Sequence, residues 1–176
     1  MLRIFKNWCR EDKAVIAIEM GMILPLMVTV LVGIMDTGMG VLTSQKAINA
    51  SQMIRDLLGR QSSVSPAVID DTFEAGKLAM APYSTASFGI DVMGVQFVGG
   101  PDKPKEIWRQ QKNMNPNQNM QAANAANLGN DQEGVLGVTA KFTYTPIFTS
   151  IITGPIDLIE VSYVRGRTGL FIPFVG

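Results

Sequence analysis

Glu19 is the side chain whose setting says most about chemistry, because it is the one ionisable group in residues 14–35, AVIAIEMGMILPLMVTVLVGIM. A carboxylate in a lipid-length apolar run is costly to hold and ordinarily marks a function or a partner. The other reading is interfacial: Glu19 lies about one helical turn inside the apolar boundary, where a carboxylate can reach the headgroups. Position alone leaves both open. Catalysis fits neither, since the chain has no histidine, the commonest general base and the commonest metal ligand. Cys9, the single cysteine, precedes the apolar run, so no internal disulfide is possible and a reducing compartment is expected for it. Asp131 and Glu133, in GNDQEG, lack the oxygen-rich spacing of a calcium loop and read as a solvated turn. Asp70 and Asp71 are adjacent on an expected helix, so their carboxylates diverge. With no nucleophile and base to name, no enzyme activity, cofactor or metal is expected. The 15 basic and 15 acidic residues cancel, and a nucleic-acid partner is not expected.

The elements that would position Glu19 follow from the hydrophobic pattern. Residues 1–14 form a short leader, with Arg3, Lys6, Arg10 and Lys13 as its cations. Residues 15–36 are long enough to cross the hydrocarbon core, which takes roughly 20 residues. A cleaved secretory signal is the competing reading, but the run exceeds the roughly 7 to 15 apolar residues of an ordinary signal core. The leader cations favour a cytoplasmic N-terminus and a periplasmic head, in a single-pass inner-membrane protein. Within the span, Pro25 removes a backbone donor, and Gly21 and Gly33 lower helix propensity. Asp36 marks the emerging end. The helix should then continue through residues 37–61 as a stalk, because Ala47, Ala50, Ile54, Leu57 and Leu58 recur at helical spacing.

Residues 62–176 read as an α+β head. Ser65 followed by Pro66 predicts an N-cap and first turn, and a helix to about residue 81 would bury Val68, Ile69, Phe73, Leu78 and Met80 before Pro82 ends it. Strands are expected at residues 88–98, with Gly94 as a bulge, briefly around Ile107 and Trp108, at 138–144, and at 156–164 after the Gly154-Pro155 turn. The alternation in 138–144 predicts a half-buried antiparallel strand. A loop is expected near residues 99–134, centred on the Asn- and Gln-rich stretch 113–130, with little to bury.

The string AVIAIEMGMILPLMVTVLVGIMDTGMG resembles the N-terminus of the TadE-like pseudopilins of the tight-adherence (Tad or Flp) pilus. It has an apolar run with an acid followed by proline, then a glycine and an acid-x-glycine step, here Gly33 and Asp36-Thr37-Gly38. Residues 46–60 resemble that family's alanine- and arginine-bearing stalk. Residues 138–167, with Tyr144, Pro146, Arg165 and Arg167, resemble its closing pair of strands. The resemblance implies a pilin-like fold and a minor pseudopilin. It also implies a prepilin peptidase cut between Ala14 and Val15, which would make Glu19 the fifth mature residue. Alanine stands at position 14, where the family usually has glycine. The new Val15 ammonium would pair with Glu19 of a neighbouring subunit, offsetting part of the burial cost of each charge. Gly21, Pro25, Gly33 and Asp36 complete the expected helix-assembly set. The implied partners are other pilins and pseudopilins, the inner-membrane assembly machinery, the prepilin peptidase and the bilayer. An uncleaved, membrane-anchored periplasmic binding or scaffold protein is the alternative.

Overall fold

The computed structural model describes residues 12–148 and 154–176; the leader up to residue 11, with Cys9, lies outside the described residues. Helix α1 (Asp12–Gly59) runs 48 residues with Pro25 inside it, about 70 Å at 1.5 Å per residue. The described residues divide into two compact units, one with residues 12–40, 146–148 and 154, the other with residues 41–145 and 155–176.

In the first unit, the α1 side chains from Val15 to Met35 are mostly exposed on every side. A helix apolar all round, with no protein around it, is suited to lipid or to other helices. Val15–Gly59 is long and apolar enough to cross a membrane. Two hydroxyls on this surface are satisfied inside the helix itself: Thr29 donates to the Pro25 carbonyl and Thr37 to the Gly33 carbonyl, each at 2.8 Å. Such back-bonding leaves no unpaired hydroxyl for an apolar medium to penalise.

The second unit is α+β. Helix α2 (Pro66–Ala79) starts at Ser65, whose side chain accepts from the Val68 amide, as the sequence predicts. Four strands, β1 (Gly89–Phe97), β2 (Pro104–Lys112), β3 (Glu133–Tyr144) and β4 (Ile156–Leu170), form an antiparallel sheet in the order β2-β1-β3-β4. On one face, Ile90, Val92, Leu136 and Val138 join a core completed by Ala47, Ala50, Ile54 and Leu58 of α1 and by Ile69 and Phe73 of α2. The period of three and four in residues 47–58 is therefore a buried stripe, with Leu57 at its partly exposed margin.

Several expectations change. Leu78 is 77% exposed rather than buried, because it lies half a turn round from Ile69. Gly76 takes the inward position instead, and a Cβ there would stand 2.7 Å from Ile54 Cδ1. Leu78 is apolar but out of phase. The short strand expected around Ile107 and Trp108 is the nine-residue β2, and with the start of β3 it takes up much of the stretch expected as a loop near 99–134. Its Asn-rich part does bury side chains: Met120 and Ala125, the latter in a 3-10 turn (Ala122–Ala125), pack with Met93, Val95, Phe97 and Val135 on the sheet's other face. Composition hid this, because two apolar anchors are enough to seat a short segment on a sheet. Strand β4 runs to Leu170, past the expected end at 164, and its register against β3 shifts between Glu133 and Val135, which face Leu170 and Arg165.

Gly94 is a bulge position, with the register shifting between Gly94 and Val95. A Cβ on Gly94 would lie 2.2 Å from Trp108 Nε1, a group that donates to the Ile172 carbonyl at 2.9 Å. The bulge thus makes room for an indole that ties the C-terminal segment to β2. Gly94→Ala is expected to destabilise the protein by about 1–3 kcal/mol through overpacking. Urea denaturation of the detergent-solubilised chain, followed by Trp fluorescence, measures this; an unchanged midpoint would show that the indole can move aside freely.

Candidate assembly surface and its polar ties

The expected site residues fall along the α1 surface of the first unit. Val15 is 48% exposed, and Glu19 is exposed on the same helix. Gly21 and Gly33 have open space where a Cβ would stand, with no atom within 4 Å. Gly21, Pro25 and Gly33 share a ridge, because they are multiples of four residues apart. Ala14 opens the first turns of α1. Glu19 and Asp36 are not brought together: they stand about 25 Å apart along the axis.

Asp36 is 5% exposed. Its carboxylate accepts the backbone N–H of Ile147 at 3.3 Å and of Phe148 at 3.0 Å. All three residues belong to the first unit. A carboxylate so engaged holds a loop to the helix, a role that helix periodicity could not reveal. The acid itself was legible as the charge that ends the apolar run; its partner, 111 residues away, was not.

In the second unit the sheet contains a charge pair that sequence reasoning passed over. Asp91, fully buried on β1, accepts from Arg109 Nε at 3.0 Å and from Nη2 at 2.6 Å across to β2. Met93 is the residue directly opposite Arg109, so the pair is a diagonal one. The Asn117 amide also donates to Asp91 at 2.8 Å, and Arg109 Nη2 donates to the Asn117 carbonyl at 2.8 Å. Asn117 continues the chain to Thr139, and Thr139 to the Met120 sulfur. The hydrogen-bonded Asp91 carboxylate raises the Arg109 guanidinium above its already high value. This network fastens the Asn-rich segment to the sheet. The one available signal was an acid inside the apolar strand sequence FGIDV.

The remaining acids have local duties. Asp131 accepts the Gly99 and Gly100 amides, and Glu133 accepts the Asn130 amide and pairs with Arg165. Asp70 pairs with Lys112. Among the described residues no group of three or more cysteines, aspartates or glutamates converges as a metal site. A shallow depression of about 660 Å³ lined by Phe73, Lys77, Thr85 and Lys112 contains no carboxylate and no thiol.

Residues 14–54 match the family model described as TadE-like protein. The N-terminal segment is TadE-like. The match covers the exposed apolar surface of α1 and the first part of its buried stripe, through Ile54, so the TadE-like segment includes Glu19, Pro25, Gly33 and Asp36. TadE-like proteins are associated with Tad pilus systems and are not an enzyme family. No curated protein and no solved structure matches the chain.

Asp91→Ala and Arg109→Ala should each destabilise the protein by about 3–5 kcal/mol, because each takes the bidentate charge partner from a desolvated group that keeps only part of its hydrogen bonds. In a double-mutant cycle the two losses should fall well short of adding; full additivity in urea unfolding would deny the coupling. For pH, hydrogen bonds from Lys141 and Thr143 hold the Asp157 carboxyl below its ordinary value. The Asn130 amide, with Arg165, does the same for Glu133. Depressed native values mean that the unfolded chain takes up these protons first as pH falls. Their stabilisation is therefore complete above the ordinary carboxylate range of about 4 and is lost as pH drops through the depressed native values. Urea midpoints measured from pH 6 downward should decline, and Asp157→Asn should flatten part of that decline.

Proposed function

We propose that this protein is a minor pseudopilin: a non-enzymatic subunit held in the bacterial inner membrane by residues 15–36 and drawn into a Tad/Flp-type pilus through the same helix. Its head, residues 62–176, would lie in the periplasm and select neighbours among other pilins, with residues 1–14 as a cytoplasmic leader. The observation that carries this reading is an apolar helix surface without protein cover, from Val15 to Met35, bearing a lone carboxylate within a TadE-like segment.

In this reading a prepilin peptidase cuts between Ala14 and Val15, and the freed Val15 ammonium pairs with Glu19 of an adjacent subunit. Inside a helical bundle both charges leave water, and each compensates the other. Gly21 and Gly33, open on their Cβ sides, let a neighbouring helix approach closely. Pro25 leaves a backbone carbonyl free at the preceding turn, a point where the helix can bend during packing. Asp36 ends the assembling segment. A permanently anchored periplasmic scaffold is the second reading, favoured by alanine at position 14 in place of the usual glycine.

Intact-mass analysis of the protein from cells with and without the pilus peptidase tests the cut: the mature chain should begin at Val15 only when the peptidase is present. An uncut chain in both strains selects the scaffold. Glu19→Gln should insert into the membrane normally yet enter sheared pili far less than the natural chain; undiminished incorporation would refute the charge pairing.

A further inference from the structure

Ile147 and Phe148 are large apolar residues left 66% and 55% exposed, and their amides are tied to Asp36. From Val15 to Asp36 a helix rises about 32 Å, close to the roughly 30 Å hydrocarbon thickness of a bilayer. Asp36 therefore stands where a span beginning at Val15 would leave the hydrocarbon. Two residues fastened to its carboxylate stand at that same depth. We infer that Ile147 and Phe148 form a second lipid contact, seated in the outer interfacial layer of the bilayer beside the end of α1 and held there by Asp36. The inference rests on the reading of residues 15–36 as a membrane span.

Three observations favour lipid as the occupant. The pair continues the exposed apolar surface of the same unit, on which Ile34 and Met35 are 64% and 56% exposed. The two non-helical amides, which an interfacial setting would penalise if unpaired, are the ones Asp36 accepts. The carboxylate, in turn, is itself largely withdrawn from water, as befits an acid made compatible with a water-poor layer by donors from the backbone. Shallow burial of an aliphatic and an aromatic side chain in the headgroup and acyl boundary is a known source of membrane affinity.

The test uses the full chain with Cys9→Ser, reconstituted into phosphatidylcholine–phosphatidylglycerol vesicles. An environment-sensitive thiol probe is placed at Phe148→Cys or, as a span control, at Leu26→Cys. The position-148 probe should show blue-shifted emission, strong quenching by lipids brominated near the headgroup, and weaker quenching by lipids brominated deep in the chain. The position-26 probe should show the reverse order. A lipid-quenched probe at 26 with a water-exposed one at 148 overturns this inference and leaves the span standing. Water exposure at both overturns the span as well. A probe at 148 shielded from iodide yet insensitive to brominated lipid means a protein neighbour, and also overturns it. Adding Asp36→Ala should expose the position-148 probe to iodide without altering the one at 26. Unchanged shielding at 148 would overturn the tether.

Discussion

A hydrogen-bond ladder that closes within one segment is what everything else in this protein depends on. Along α1 each main-chain donor past the first turn finds an acceptor four residues back, with the single omission at Pro25. The backbone therefore makes almost no demand on its surroundings. The side chains alone decide what those surroundings are, and they decide differently at the two ends. From Val15 to Met35 they are, Glu19 and Thr29 apart, apolar on all sides and mostly exposed; from Ala47 they narrow to a stripe that fits a core.

That single element gives the TadE-like segment its double character. The exposed part offers no preferred face for the chain's own fold, as suits a helix long and apolar enough to cross a membrane. The buried part is anchored by Ala50, Ile54 and Leu58, all fully buried. Ser51 adds a polar contact to Ser162 of β4, with the oxygens 3.4 Å apart.

The sheet solves a different problem with a different kind of interaction. Its first face is closed by helices, while its second is closed by a segment with few apolar side chains. Met120 and Ala125 supply the apolar contact, and the Asp91–Arg109–Asn117 network supplies direction. A buried charge pair contributes little net stability once desolvation is counted. It does penalise any arrangement in which the carboxylate is left without its donors. Asn117 donates and accepts within that network through its main chain, so the path of the segment is set by geometry rather than by buried area.

Period, turn chemistry and composition were enough to determine the long helix, the Ser65-Pro66 start of α2, the α+β class and the central strands, because each of these is a local pattern with a local physical cause. The bulge at Gly94 was legible for the same reason, although the indole that requires it was not. Leu78 shows where local reading fails: its apolar character suggested burial, but its phase on the helix, fixed by which face meets Ile54 and Phe88, turned it to solvent. The seating of the Asn-rich segment, the Asp91–Arg109 pair and the hold of Asp36 on Ile147 and Phe148 were decided only by tertiary structure. Each joins residues distant in sequence, and a carboxylate's role is set by the donors that folding brings within about 3 Å, which neither its own neighbours nor its spacing encode.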